Sequence, residues 1–202
     1  EGLTLAGMFT HGPGYVHSIK PMNSLAELKG KKIRIGGGIQ SEIGKRLEIT
    51  PIAAPGSKVY EMLQQGVIDG VFMPMDSLKS LRLYEVAPNV LAVPGGIGSF
   101  SMFINPEFLA GLSKKDRAAI MNVSGEKLSA MAGSVWDGGD AVALEFAKSK
   151  GINIVSNDKL SQEFKTYTKG IAEGWVDSVK DRNVKADAAL KELREIAQNY
   201  GK

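Results

Sequence analysis

Lys32-Ile33-Arg34-Ile35-Gly36-Gly37-Gly38, followed by residues 41–47, decides the fold of this chain. The first four residues read as a short strand, the three glycines break it, and residues 41–47 read as a helix. On the N-terminal side, Ser24-Leu25-Ala26-Glu27 has the Ser-x-x-Glu spacing of a capping box, and Gly30 stands where a one-turn helix would end. On the C-terminal side the unit repeats. Ser57 caps a helix through Gln65 with Val59, Met62 and Leu63 on one side, Gly66 ends it, and residues 67–73 resemble a buried strand. Strands alternating with helices predict an α/β fold with a largely parallel sheet.

The pattern continues with a helix over residues 77–86, a strand over 90–93, a Pro94-Gly95-Gly96-Ile97-Gly98 loop and a strand over 101–105. Pro106 opens a helical stretch. From Ser113, with Asp116 three residues on, helical character persists to Lys150, and Gly151 terminates it. One helix of about 38 residues would be about 57 Å long at 1.5 Å per residue, more than the width of a small lobe. One long helix, or two in line, therefore runs across two lobes, which implies a hinged molecule. A strand over 152–155 and amphipathic helices over 160–180 and 187–199 complete the chain.

Composition excludes several classes of function. The 202 residues, 43% hydrophobic and 23% charged, are those of an ordinary globular protein. The longest apolar runs, such as residues 67–75, are interrupted by Asp69 and fall short of the ~20 residues that span a bilayer. The 25 basic residues are interleaved with 22 acidic ones for a net charge of +3, which leaves no electrostatic footprint for nucleic acid and mildly suits an anionic ligand. With no cysteine, disulfides, thiolate metal sites and cysteine nucleophiles are excluded. The opening residues Glu1-Gly2-Leu3-Thr4-Leu5 have no basic segment ahead of an apolar core, so either the protein is mature and cytosolic or its own N-terminus lies upstream.

Catalytic constellations are not evident. His11 and His17 flank Gly12-Pro13-Gly14 at a spacing that suits neither a helical metal pair nor a nucleophile and base; they read as structural or as hydrogen-bonders at a pocket edge. The triple glycine lacks the rest of a nucleotide-binding signature. Asn122-Val123-Ser124 matches a glycosylation acceptor, but inside a helix. Trp136 and Trp175 read as core or interlobe packing. Asp76, just past a strand, either faces a crevice or caps the helix from Ser77.

Taken together, Thr10-His11-Gly12-Pro13-Gly14, Leu28-Lys29-Gly30-Lys31-Lys32-Ile33-Arg34-Ile35, the block from Val59-Tyr60-Glu61 to Ile68-Asp69-Gly70, and Phe103-Ile104-Asn105 resemble the substrate-binding subunit of tripartite ATP-independent periplasmic (TRAP) transporters. The resemblance covers nearly the whole chain, and its most diagnostic blocks are Leu-Lys-Gly-x-Lys-x-Arg and Gln-x-Gly-x-x-Asp-Gly. It implies a periplasmic-binding-protein-like (type II) fold with two hinged α/β lobes, a long helix crossing both, and an incomplete first lobe, because family members are longer. The expected division is residues 1–20 as hinge and remnant of the first lobe, 21–100 as the second lobe with the ligand-binding residues, 101–150 as crossover strand and long helix contributing to the first lobe and hinge, and 151–202 as the last strand and C-terminal helices.

The resemblance also implies a function: periplasmic capture of a small organic anion for TRAP membrane subunits, by a monomer without cofactor, metal, nucleic acid or enzymatic activity. Its carboxylate anchor corresponds to Arg34, and the physics agrees, since a planar guanidinium offers parallel donors to both carboxylate oxygens. An ion pair with Glu27 is the alternative. Met73 stands where many members carry asparagine, which with Phe72 suggests a ligand with an apolar or aromatic body; core packing is the alternative for Phe72. Gly37 of the glycine turn, Asp76, and Gly95, Gly96, Ser99 and Phe100 of a third loop complete the expected site. The rival functions are a ligand-sensing domain of a regulator and an α/β enzyme acting on an organic acid.

Overall fold

The computed structural model describes residues 2–199; Glu1 and residues 200–202, the outermost parts of the first and last expected segments, lie outside them. In chain order the elements are β1 (Thr4–Thr10), β2 (Tyr15–Ser18), a 3-10 turn (Leu25–Leu28), β3 (Lys32–Ile35), α1 (Ile39–Arg46), β4 (Thr50–Ala53), α2 (Val59–Gln64), β5 (Gly70–Met73), α3 (Ser77–Ser80), α4 (Leu83–Val86), β6 (Asn89–Leu91) and β7 (Ser99–Ile104). After these come α5 (Pro106–Gly111), α6 (Lys114–Val123), α7 (Glu126–Ser149), β8 (Asn153–Val155), α8 (Asp158–Thr168), α9 (Ile171–Val179) and α10 (Ala186–Asn199).

Six strands form one sheet in the order β4-β3-β5-β2-β6-β8. The pairs β3/β4, β3/β5 and β6/β8 are parallel, and β2 alone runs antiparallel to its neighbours β5 and β6. The two-residue period of the strands sorts side chains to opposite faces. Ile33, Ile35, Phe72 and Leu91 join one core with Leu25, Leu28, Ile43, Leu160 and Phe164, while Val71 and Val90 join a second core with Val59, Leu78, Leu83, Ala143 and Ala147.

β1 and β7 form a separate antiparallel ribbon. Two chain segments link ribbon and sheet, residues 11–14 and 92–98, and they pair with each other: Gly14 N–H donates to Gly96 O at 2.9 Å and Gly95 N–H to Gly14 O at 2.6 Å. A third link is α7. Leu128 near its start packs on Gly7 of β1, and Ala143 and Ala147 near its end are buried in the second core.

Several expected elements differ in detail. Of the two readings of the long helical stretch, one helix is excluded and two are found, broken where Gly125 takes a φ of 72°, so α7 with 24 residues makes the crossing alone at about 36 Å. Ser24 does not cap the backbone; its hydroxyl donates to Glu27 Oε1 at 3.1 Å. The helix expected over 77–86 is split by Arg82 at φ 55°, a kink that lets Leu83 reach the core. Residues 67–69 lie ahead of β5, outside the strand, and Asp69 there accepts from Lys32 N–H through Oδ2 at 2.8 Å. The helix expected over 160–180 breaks at Gly170, φ 80°. β4 has no counterpart among the expectations: Pro51 reads against a strand, yet β4 is a sheet edge, where a missing N–H is tolerated.

His17, in the middle of the sheet, is fully buried. Its Nε2–H donates to Met73 O at 3.0 Å, and Nδ1 has no partner among the described residues. Burial lowers its pKa to about 4, against an opposing contribution from the backbone oxygens of Met73 and Pro74. Because this lies below the unfolded value of about 6.5, the unfolded chain takes up a proton between these limits that native His17 refuses. Stability should therefore fall by about 2 kcal/mol from pH 7 to pH 5. Urea midpoints should show this loss in the parent protein and much less of it in His17→Gln, while the ring resonances of native His17 stay neutral at pH 5. Equal losses in both proteins, or a ring protonated at pH 5, would contradict the assignment.

Candidate ligand-binding crevice

The alternation that buries Ile33 and Ile35 sends Arg34 to the other face of β3, between Ile52 of β4 and Val71 of β5. There it is only 8% exposed. Nε donates to Ala54 O at 2.8 Å and Nη1 to Met73 Sδ at 3.2 Å. None of the ion pairs among the described residues includes Arg34, and Nη2 makes no hydrogen bond among them. Burial pushes its pKa below the usual value, but a guanidinium remains charged at any physiological pH. The alternative partner, Glu27, is engaged with Ser24 Oγ and Asn23 N–H.

Arg34 lines a crevice of about 620 Å³ outside the C-terminal ends of β3 and β5, the place where α/β sheets hold ligands. The glycine turn forms one side. Gly37 and Gly38 have φ of 94° and 55°, which glycine adopts readily, and Gln40 Oε1 braces the turn by accepting from Gly36 N–H at 2.7 Å. Phe72, Met73, Asp76 and Ser77 form another side.

An aromatic wall faces them. Phe100 stacks on Trp136 with ring centroids 6.0 Å apart and planes 2° apart, and on Phe9 at 5.5 Å. His11 meets the edge of Phe100 at 5.8 Å. Both imidazole nitrogens are committed: Nε2 accepts from Gly98 N–H at 3.0 Å, and Nδ1–H donates to Gly12 O. His11 is thus a strut that holds the second crossing against the first, with no lone pair left to act as a base.

Asp76 precedes α3, but its carboxylate makes no capping hydrogen bond to the helix backbone, so the crevice reading is the one that holds. Asp76 lines the crevice, and its carboxylate accepts from Ser80 Oγ at 2.8 Å and Ser77 Oγ at 3.4 Å of α3. Its N–H donates to Asp140 Oδ1 of α7 at 2.8 Å. Burial raises the pKa of Asp140, opposed by that Asp76 N–H and assisted by the Asp76 charge. Asp140 also abuts Gly12, where a Cβ would occupy the space of Oδ2.

Of the expected site residues, the fold brings Arg34, Gly37, Phe72, Met73, Asp76, Ser99 and Phe100 together around the crevice. Ser99 and Phe100 do so from β7, not from a loop. Gly95 and Gly96 are not part of the lining; they sit in the paired crossings, where Gly95 packs on the Phe72 ring and on Gly14. Phe72 is 1% exposed and belongs mainly to the core. Gln40 and Ile97 were not among the expectations, His11 was weighed there as a pocket-edge hydrogen-bonder, and Trp136, read as packing, lines the crevice. A helical spacing of four places Trp136 and Asp140 on the same side of α7, but only the crossing of α7 over the crevice gives that side a meaning. Among the described residues, no group of three His, Asp or Glu side chains could hold a metal, and no helix is long and apolar enough to cross a membrane.

Residues 1–175 match the family described as bacterial extracellular solute-binding protein, family 7. The chain belongs to that family. Family 7 comprises solute-binding proteins of transporters, located outside the cytoplasm, and not enzymes. Among curated relatives, the outer membrane transporter protein TsaT of Comamonas testosteroni is 29% identical over 188 residues, which cover 91% of this chain and 55% of the relative. A TRAP periplasmic solute-binding protein of Bordetella bronchiseptica, solved with bound (R)-mandelate and (S)-mandelate, superposes with a TM-score of 0.88 at 35% identity over 96% of this chain and 63% of that one. A marine metagenome TRAP solute-binding protein specific for aromatic acids, solved with 3-hydroxybenzoate, superposes at 0.87 with 28% identity over 99% and 64%. The fold is therefore that of a type II periplasmic binding protein, of which this chain spans somewhat over half.

The close approach at Gly95 has a measurable consequence. A methyl group there would strike the Phe72 ring, so Gly95→Ala should lower the stability of the protein by about 1–3 kcal/mol in urea denaturation. Gly111→Ala, with open space around its Cβ, should stay within about 0.5 kcal/mol of the parent. Equal midpoints for the two variants would refute the packing described.

Proposed function

We propose that the protein containing this chain is a periplasmic solute-binding protein that captures a small organic anion with an aromatic or apolar body and presents it to the membrane subunits of a TRAP transporter. The observation that carries this reading is Arg34: a buried guanidinium, unpaired with any carboxylate among the described residues, in the wall of an apolar and aromatic crevice. Mandelate and 3-hydroxybenzoate, the ligands of the two similar binding proteins, each combine a carboxylate with a ring, which suits a cation opposite Phe100 and Trp136. In this reading the carboxylate docks on Nη1 and Nη2 of Arg34 as a bidentate pair. Gly37, Met73 and Phe72 bound its body, Ser99 and Phe100 meet it from β7, and no bond is made or broken.

The sheet side of the crevice belongs to a second lobe, which begins earlier than the expected residue 21 because β2 pairs between β5 and β6, and which β8 and the C-terminal helices join. The ribbon of β1 and β7 with the start of α7 belongs to the first lobe, and residues 11–14 and 92–98 with the rest of α7 form the hinge. Leu5, Met8 and Phe103 of the ribbon and Met131 of α7 are exposed, apolar surface that in this reading the remaining length of the protein covers. The paired crossings, with Gly95 and Gly96, form the hinge about which the lobes close. The protein works as a monomer and without nucleic acid.

Isothermal titration of the full-length protein tests this. Benzoate or a related aromatic carboxylate should bind, and the matching amide, benzamide, should not. Arg34→Lys, which keeps the charge but loses the fork, should weaken binding by about 100-fold or more while circular dichroism shows a folded protein. Failure of every carboxylate, or equal binding of acid and amide, would refute the function.

A further inference from the structure

We infer that the ligand carries, besides its carboxylate, a hydrogen-bond donor group, a hydroxyl or an ammonium, and that Asp76 selects for it. The inference rests on reading the crevice as an organic-anion site and goes beyond it by assigning the other end of the ligand.

The lining of the crevice holds a cation, Arg34, and a carboxylate, Asp76. Asp76 takes part in none of the ion pairs among the described residues. Its oxygens accept two hydroxyls from its own helix, Ser80 Oγ and Ser77 Oγ, the second at a long 3.4 Å. An ionised carboxylate has about four acceptor sites, so lone pairs remain that only solvent or a ligand can fill. Behind it stands Asp140, whose Oδ1 is spent on the Asp76 N–H and which adds negative potential at this end. The crevice is therefore polarised, positive at β3 and negative at α3.

A plain monocarboxylate answers only the positive end. Once it fills the crevice and water leaves, the Asp76 carboxylate keeps only the two serine hydroxyls, and a charged acceptor left partly unsatisfied costs more than a neutral one. A ligand donor placed against Asp76 removes that cost. Discrimination thus works against the analogue that lacks the donor, the mode in which polar sites reject most strongly.

The test is calorimetric titration of the full-length protein with matched acids: phenylacetate, mandelate and phenylglycine on one skeleton, benzoate, 3-hydroxybenzoate and 4-hydroxybenzoate on another. In at least one series a donor-bearing acid should bind about tenfold or more tighter than its unsubstituted parent, and whether hydroxyl or ammonium is preferred identifies the donor. Asp76→Ala should bring the ratio of the two affinities to within about threefold; Asp76→Asn, isosteric and still able to accept from Ser80, serves if the alanine variant does not fold. Parents binding as tightly as every donor-bearing acid would overturn the selection and leave the anion site standing. A ratio that survives in both variants would remove Asp76 from the role. Only the failure of all six acids would reach the underlying reading.

Discussion

A positive charge removed from water is the constraint around which this molecule is organised. Transfer of an ion from water into a protein costs several kcal/mol unless partners replace its hydration. Arg34 has one good partner, the Ala54 carbonyl, and one weak one, the Met73 sulfur. The strand that carries it cannot turn it outward, because Ile33 and Ile35 on either side anchor the opposite face in the core. The charge is held beside the crevice by the packing of its neighbours.

The rest of the architecture keeps that crevice open on one side and walled on the other. The glycine turn after β3 brings backbone close to the space in front of Arg34 without side chains in the way. The second wall comes from elements distant in sequence, β7 and α7, delivered there by two chain crossings that pair through Gly14, Gly95 and Gly96 and are pinned by His11. A Cβ at Gly14 or Gly95 would press on the opposite crossing or into Phe72, and Gly96 takes a φ of 102° that other residues rarely adopt. A ribbon attached through so narrow a neck, with α7 as its other connection, has the geometry of a hinge.

The sequence made the first wall legible and hid much of the second. Strand β3, its glycine turn and Arg34 could be read because the signals are local: an alternating apolar pattern, an uninterrupted glycine run, and a charged residue at the position facing away from the core. β4 was obscured by Pro51, whose edge position is a property of the sheet and not of the segment. β2 could not be seen as the antiparallel strand in the middle, since its pairing with β5 and β6 joins residues more than fifty positions apart. Trp136 looked like packing for the same reason: a helical residue gains a role only when the surface opposite is known. Gly95 and Gly96 were expected to face the ligand from a third loop, but the crossings turn them toward Gly14 and Phe72.

The central claim is that the Arg34 guanidinium receives the ligand's carboxylate, and a crystal structure of the full-length protein with benzoate tests it most directly. The account predicts both carboxylate oxygens within about 3 Å of the Arg34 Nη1 and Nη2 atoms, with the ring against Phe100 and Trp136. Benzoate bound elsewhere, or in the crevice with its carboxylate turned away from Arg34, would contradict it.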